Sequence, residues 1–167
     1  IRIDKGGSVS LEIFDEDLEP FAEKWNSSER KMILVGVLDP ESVEQQFLDI
    51  LAKDESVIVL TEVTSNLHHK QFFHAVDQLI APLSETEFKE LRPEILLTFG
   101  GMVVSKKIKA FLRDYSPSEH WHVDVKKAYD TYFCLNNHFK ISPNDSLSCF
   151  HLSLKKSRVP TNLFGVR

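Results

Sequence analysis

The chain has 167 residues, of which 42% are apolar and 27% are charged, and its formal net charge is −5. This length and composition are typical of one globular domain with a continuous core. A net negative charge disfavours binding to nucleic acid or to an anionic membrane surface. No apolar run approaches the roughly 20 residues that a membrane span requires.

The cysteines and the amino terminus indicate the cellular setting. Cys134 and Cys149 are too few for a disulfide framework or a four-cysteine metal site, and they fit the reducing cytoplasm. The chain begins at Ile1 without an initiator methionine or a signal-like segment. We therefore expect a cytoplasmic segment of a longer protein, which need not carry its parent's active site.

Three short segments are nearly continuous in branched apolar residues, which is typical of parallel strands covered on both faces. They are Met32 to Leu38, Val57 to Thr61 and Ile95 to Phe99. A fourth candidate strand, Glu119 to Asp124, mixes aromatic, polar and β-branched residues. Thr131 to Leu135 is a weaker fifth candidate, which we expect near an edge of the sheet.

Helical patterns separate these strands. Apolar residues at helical spacing mark a first helix around Leu18 to Trp25. Asp39 and Pro40 predict the beginning of a second helix, with Asp39 as its N-cap. A third helix is predicted from about Asn66 to Ile80. A fourth follows the Gly100-Gly101 pair, and its predicted inward face consists of Val104, Ile108, Phe111 and Leu112.

The alternation of strands and helices predicts an α/β fold. It favours a doubly wound, mostly parallel, Rossmann-like sheet of about five or six strands with helices on both faces. Residues 1–155 are interpreted as a single domain, of which residues 1–10 are linker-like. Residues 156–167 lack periodicity and are interpreted as a tail.

The turn at Gly100-Gly101 is the first candidate ligand site. Ligands of doubly wound sheets bind beyond the carboxyl ends of the strands, where helix N-termini present free N–H groups. Gly100, Gly101, Ser105 and Asp124 therefore form a candidate pocket for a nucleotide or another anionic effector. The six glycines accommodate neither a G-x-G-x-x-G fingerprint nor a P-loop. A bend that simply requires glycine is the alternative interpretation.

His120, His122 and Asp124 form the second candidate site. They alternate along one predicted strand, so their side chains share one face, and their types are those of metal ligands. Three ligands on successive alternate positions are geometrically awkward for one ion, so we expect no metal here. In the simpler interpretation, Asp124 lies at the crevice and the histidines hydrogen-bond to neighbouring loops.

The remaining polar clusters do not predict catalysis. No G-x-S-x-G motif is present, and neither cysteine lies in a nucleophile elbow. Glu62 follows a strand where dinucleotide-binding folds place a ribose ligand, but that role fails without the glycine loop. Thr64, Ser65 and Asn66 are interpreted as caps of the following helix, and the His68-His69 pair as its solvated beginning.

Three segments taken together resemble one enzyme family. They are Val59 to Leu67, Pro93 to Lys109 and Glu119 to Asp124. They are similar to 2-succinyl-5-enolpyruvyl-6-hydroxy-3-cyclohexene-1-carboxylate (SEPHCHC) synthase, a thiamin-diphosphate-dependent family, and especially to its Bacteroidetes-like members. The resemblance covers the chain from about Lys31 to about Asp124, whereas the tail from Ser148 to Arg167 departs from the family pattern.

The resemblance implies a central domain. Members of this family have three α/β domains, and thiamin diphosphate and Mg²⁺ are held by the two flanking ones. The flanking diphosphate motif Gly-Asp-Gly does not occur in this sequence. The implied partners are the flanking N- and C-terminal domains of the same chain, in a homodimer or tetramer. The resemblance implies that this segment itself binds neither thiamin diphosphate nor Mg²⁺.

The sequence therefore predicts a non-catalytic, supporting domain. Its implied parent is a transferase that adds the decarboxylated 2-oxoglutarate unit to isochorismate in menaquinone biosynthesis. We expect the isolated chain to fold without synthase activity. The alternative is a self-standing Rossmann-like module that binds a nucleotide or an anionic effector at the Gly100-Gly101 turn.

Overall fold

The computed structural model describes residues 12–148, and their side chains from Leu18 onward. Within this range five strands form one sheet in which every neighbouring pair is parallel. The strands are β1 (Lys31–Val35), β2 (Val57–Thr61), β3 (Ile95–Phe99), β4 (Glu119–Val123) and β5 (Leu135–Phe139). Their order is β2-β1-β3-β4-β5, which is a doubly wound arrangement and confirms the predicted fold class.

Helices cover both faces of the sheet. They are α1 (Glu12–Ser27), α2 (Gln45–Ala52), α3 (Val76–Ile80), α4 (Glu85–Leu91) and α5 (Lys106–Asp114). Residues 143–148 are also helical. One core cluster joins α1 and α2 to the sheet and includes Trp25, Ile33 and Trp121. The other joins α3, α4 and α5 to the opposite face and includes Met32, Ile108 and Leu112.

Alternation along β1 explains how one strand supplies both clusters. Ile33 and Val35 face α1 and α2, whereas Met32 and Leu34 face α5, and all four side chains are fully buried. A strand with both faces covered is apolar at successive positions, because its side chains point alternately to opposite sides. This is why the three apolar segments were recognisable, although β1 ends at Val35 rather than at the predicted Leu38. Lys31 at the beginning of β1 is the exception, and its buried Nζ donates to the Trp25 carbonyl.

The predicted second and third helices differ from the observed ones. Asp39 and Pro40 lie in a turn before Glu41, which has a φ of 57°, and α2 begins only at Gln45. The third helix is short, because residues 66–75 are not helical. Backbone hydrogen bonds hold Phe73 against β2: its N–H donates to the Val59 carbonyl at 3.0 Å.

Two further predictions were wrong, and one helix was not predicted. The fifth strand is Leu135–Phe139, four residues beyond the predicted Thr131 to Leu135, although it does lie at an edge. Helix α4 was missed, although Ser84 and Glu87 form a capping box at its beginning. Val104 precedes α5 and is 57% exposed, so it does not belong to the inward face with Ile108.

The ends of all five strands define a carboxyl edge of the sheet. The loops after β1, β2, β3 and β4 lie along this edge, and they contain Gly100, Gly101, Ser105 and Asp124, whereas His120 and His122 lie within β4. Within residues 12–148, no helix is both long and apolar enough to cross a bilayer. The predicted linker at residues 1–10 and the tail at residues 156–167 lie outside the described residues.

Candidate functional site

The loops after β1 and β3 are joined by backbone hydrogen bonds. Gly36 donates to the Phe99 carbonyl at 2.9 Å, and Gly101 donates to the Val37 carbonyl at 2.7 Å. The loops lie so close that a Cβ on Gly36 would stand 1.9 Å from the Gly101 carbonyl oxygen. The crevice at the β1–β3 switch point, where ligands of such sheets bind, is therefore closed by backbone. The close approach of the two loops requires glycine, which agrees with the alternative interpretation of the Gly100-Gly101 turn.

The N-terminus of α5 has its N–H groups engaged by protein. The carboxylate of Glu62, after β2, accepts from the backbone N–H groups of Val104 at 2.8 Å and Ser105 at 2.7 Å. The Ser105 hydroxyl caps Ile108 and donates to Asp77. A carboxylate thus stands where a phosphate binds in nucleotide-binding relatives of this architecture.

The four predicted pocket residues divide into two groups. Ser105 is 92% buried in the capping network with Asp77. Gly100, Gly101 and Asp124 instead line a cavity of about 640 Å³ above β3 and β4. The cavity is lined further by Thr98, Met102, Lys109, His120, His122, Lys126, Lys127, Tyr129 and Tyr132, among others.

Thr98 joins two histidines on the floor of this cavity. Its Oγ1 lies 2.8 Å from His120 Nε2 and 2.7 Å from His122 Nδ1. A hydroxyl has one proton, so it donates to one ring and accepts from the other. The predicted shared face of His120 and His122 is thereby confirmed, but the bonding partner is a strand residue rather than a loop.

His120 is almost completely buried and lacks a partner at Nδ1. The Tyr132 ring covers it edge-on, with 5.4 Å between the ring centroids. Burial, together with the neighbouring His122, lowers the pKa of His120 to about 4. The ring is therefore neutral in the folded protein at physiological pH. Its Nδ1 is a buried polar atom without a hydrogen-bond partner among the described residues.

Asp124 is held by its own turn. Its Oδ1 accepts from the backbone N–H groups of Lys126 at 2.6 Å and Lys127 at 3.0 Å. Burial alone would raise the pKa of Asp124, but these two hydrogen bonds and the nearby histidines lower it. The carboxylate therefore stays charged and shapes the rim of the cavity.

The remaining histidine and cysteine candidates that the structure describes are not arranged as a catalytic or metal site. His74 Nδ1 lies 2.7 Å from Thr61 Oγ1, and His69 Nε2 lies 3.5 Å from Asp49. Burial raises the pKa of Cys134 to about 11, which disfavours the nucleophilic thiolate. Among residues 12–148 no group of three or more His, Cys, Asp or Glu side chains is placed to hold a metal ion.

The comparisons with known proteins place this arrangement in a family. The family model described as "Middle domain of thiamine pyrophosphate" matches residues 17–158. The chain belongs to this family. The middle domain is also similar, with 60% identity over 127 residues, to the 2-succinyl-5-enolpyruvyl-6-hydroxy-3-cyclohexene-1-carboxylate synthase of Christiangramia forsetii. This alignment covers 73% of the chain and 22% of that relative.

Two further relatives carry the same name. The protein of Flavobacterium johnsoniae is 55% identical over 122 residues, which cover 72% of this chain and 22% of the relative. The protein of Phocaeicola vulgatus is 30% identical over 159 residues, which cover 90% of this chain and 28% of the relative. The middle domain thus spans between 22% and 28% of the length of these relatives. The predicted family is confirmed, and the family model extends the match to residues 17–158, beyond the predicted Lys31 to Asp124 and into the tail that was predicted to depart from the family pattern.

Sequence reasoning missed most of the cavity wall of the middle domain. Tyr132 was assigned to a strand, and the exposed Lys126-Lys127 pair and Tyr129 were not considered. Two adjacent lysines directly after the β4 strand were a usable signal, because residues at this edge face the ligand crevice. Tyr132 could not be placed, since its burial depends on how the loop between β4 and β5 crosses the sheet.

Proposed function

We propose that the middle domain is the non-catalytic central domain of a SEPHCHC synthase. In this proposal the whole protein adds the decarboxylated 2-oxoglutarate unit to isochorismate in the cytoplasm, and this segment holds its catalytic domains in place. The single observation that carries the proposal is the 60% identity to a relative of that name, across 127 residues.

The chemistry of the described residues is consistent with a domain that does not hold the cofactors itself. Thiamin diphosphate requires a diphosphate site and a metal site, and the described residues fit neither. The N–H groups at the beginning of α5 are bonded to Glu62, and residues 12–148 offer no cluster of three metal ligands. We therefore assign thiamin diphosphate and Mg²⁺ to flanking domains, in a homodimer or tetramer.

The activity of the full-length protein tests this proposal. We expect it to consume isochorismate when 2-oxoglutarate, thiamin diphosphate and Mg²⁺ are supplied, and we expect the 167-residue chain alone to consume none. Loss of isochorismate absorbance measures both. A full-length protein without activity would disprove the synthase assignment. Activity of the 167-residue chain alone would disprove the non-catalytic role.

A second proposal concerns the cavity above β3 and β4. We infer that it accepts a small anionic effector at Gly100, Gly101 and Asp124, without Ser105, which lies in the cap of α5. The supporting observation is the presence of three lysines, Lys109, Lys126 and Lys127, in the cavity wall. Its volume is within the range of small-molecule sites, which are about 300–1,000 Å³.

Calorimetric titration of the full-length protein with ADP, NAD, FAD and a hydroxynaphthoate tests the effector. We expect saturable binding of one of them, weakened about tenfold by Lys126→Ala, because a lost charge-assisted contact costs about 1.5 kcal/mol or more. Lys89→Ala on α4 is the matched control, since this exposed lysine lies outside the cavity. Flat titrations with all four compounds, or equal effects of both variants, would contradict the proposal.

A further inference from the structure

Positively charged donors are concentrated in the wall of the cavity above β3 and β4. Three lysines line it: Lys109, Lys126 and Lys127. None of their ammonium groups pairs with a carboxylate among residues 18–148. Asp124 supplies the one carboxylate among the described lining residues, and that carboxylate accepts from two backbone N–H groups of its own loop. The His122 ring lies in the same wall and can donate or accept, depending on its proton.

His122 has one ring nitrogen available to a ligand. Its Nδ1 lies 2.7 Å from Thr98 Oγ1. Its Nε2 has no hydrogen-bond partner among residues 18–148 and is not one of their fully buried polar atoms. Because His122 lines the cavity, Nε2 is the atom that it offers to a bound molecule. A neutral imidazole has one proton, so Nε2 donates if Nδ1 is bare and accepts if Nδ1 is protonated.

The Thr98 hydroxyl couples His122 to the buried His120 ring, whose Nε2 lies 2.8 Å from Thr98 Oγ1. Because the hydroxyl has one proton, the chain of hydrogen bonds can run in two directions. In the first, His120 Nε2–H donates to Thr98, and the Thr98 hydroxyl donates to His122 Nδ1. In the second, both donations are reversed and His120 carries its proton on Nδ1. The proton position on the buried ring therefore sets the proton position on the accessible one.

The surroundings of His120 favour the first direction. Its Nδ1 is buried and has no hydrogen-bond partner among residues 18–148. A proton on Nδ1 would be a buried N–H without an acceptor, which is rare in native proteins and destabilises the folded state. The Tyr132 ring lies edge-on to His120, and an aromatic ring is only a weak acceptor for an N–H group.

The intrinsic preference of histidine favours the same direction. In water, a neutral histidine side chain carries its proton mostly on Nε2. The first direction places the proton on Nε2 in both rings, whereas the second places it on Nδ1 in both. Burial lowers the pKa of both rings; for His122 the Asp124 carboxylate opposes this shift and His138 adds to it. Both rings are therefore neutral above the ordinary histidine value of 6.5.

We propose that His122 is a specificity-determining residue of the cavity, because Thr98 and His120 fix its proton on Nε2 and make it a donor. This inference rests on the proposed effector site, and it names the ligand atom that meets His122: an anionic carboxylate or phosphate oxygen. A ligand that presents an N–H or O–H at this point would be rejected, since two donors would face each other. Thr98 is a positioning residue, since it acts on the ligand through His122.

Neutron diffraction from crystals of the perdeuterated full-length protein, at a neutral pH, tests the proton positions without any ligand. It shows directly which ring nitrogens carry a deuteron. We expect one on Nε2 of His120 and one on Nε2 of His122, with the Thr98 deuteron directed at His122 Nδ1. A deuteron on Nδ1 of either ring would overturn the proposal.

Calorimetric titration of full-length variants tests the effect on binding, with ADP as the phosphate probe and a hydroxynaphthoate as the carboxylate probe. We expect His122→Phe to weaken binding about tenfold, because a hydrogen bond to a charged oxygen is lost. His68→Phe replaces an exposed histidine outside the cavity and should bind like the wild-type protein. Unchanged binding by His122→Phe would overturn the proposal.

Two substitutions of Thr98 test its positioning role. Thr98→Val keeps the shape of the side chain but cannot hold the His122 ring, so we expect binding about fivefold weaker. Thr98→Ser keeps the hydroxyl and should restore binding to within about twofold of the wild-type protein. Equal affinities of these two variants would contradict the positioning role, because a merely structural side chain would not depend on the hydroxyl.

The two measurements separate this inference from the proposed effector site. Flat titrations with deuterons on Nε2 of both rings would contradict the effector site and support the donor assignment of His122. Saturable binding with a deuteron on His122 Nδ1 would support the effector site and overturn the donor assignment.

Discussion

Replacing Gly36 by alanine is expected to lower the free energy of unfolding of the chain by about 3 kcal/mol or more. The added Cβ would stand 1.9 Å from the Gly101 carbonyl oxygen, which is backbone and cannot rotate away. The loops after β1 and β3 would have to separate. That separation breaks the hydrogen bonds from Gly36 to Phe99 and from Gly101 to Val37. Urea unfolding followed by circular dichroism measures the change.

Gly101→Ala is the matched control. It adds the same methyl group to the other side of the contact, where the nearest atoms belong to Val37 and lie at 3.4 Å. That distance is an ordinary contact, so we expect a change of about 1 kcal/mol or less. Equal stability of the Gly36→Ala variant and the wild-type protein would show that the loops do not meet as described.

Strand composition made most of the fold predictable. The central strands β1 and β3 are buried on both faces, so their sequences are apolar except at Lys31 and Thr98 and are typical of buried strands. The position of β5 was predicted wrongly because Leu135–Phe139 is an edge strand with Asn and His side chains and intermediate burial. Its pairing with β4 depends on backbone atoms, to which sequence composition is insensitive.

The predicted third helix shows why periodicity misled. Phe72, Val76 and Ile80 are spaced like one helical stripe, and all three are buried. However, Phe72 belongs to the core cluster of α1 and α2, whereas Val76 and Ile80 belong to the cluster on the opposite face. Residues near an edge strand can reach both faces of a sheet, so the helical spacing extended here to Phe72, which precedes the short helix α3.

The candidate site was predictable in place but not in detail. Gly100, Gly101 and Asp124 were expected at the carboxyl edge, because ligand crevices of doubly wound sheets lie there. The role of Ser105 depended on Glu62, which is 43 residues earlier in the chain. Residues so far apart in sequence meet because β2 and β3 lie on either side of β1 in the sheet. A local sequence pattern does not reveal this strand order.

The buried histidine at the cavity floor leads to the second large effect, a loss of stability in acid. The pKa of His120 falls from 6.5 to about 4 in the folded protein, chiefly through burial and then through His122. Above the unfolded value both states are neutral, and His120 contributes no pH dependence. Below it the unfolded chain binds a proton that the folded chain excludes, so the free energy of unfolding decreases as the pH falls.

The size of this effect follows from the pKa difference. A pKa difference of one between the folded and unfolded states corresponds to about 1.4 kcal/mol. Protonation of His120 alone therefore lowers the free energy of unfolding by about 3 kcal/mol between pH 6.5 and about pH 4. Below that window both states are protonated and the loss is complete. We expect urea unfolding of the wild-type chain at a series of pH values to show this decline.

His120→Gln isolates the contribution of this one ring. A glutamine amide can still meet Thr98 where Nε2 does, but it does not titrate, so the decline between pH 6.5 and about pH 4 should shrink by about 3 kcal/mol. His68→Gln replaces an exposed histidine and should leave the profile of the wild-type chain. Parallel pH profiles for His120→Gln and the wild-type chain would show that the ring is protonated in the folded state. The Thr98 hydroxyl could not then hold both histidines as neutral rings.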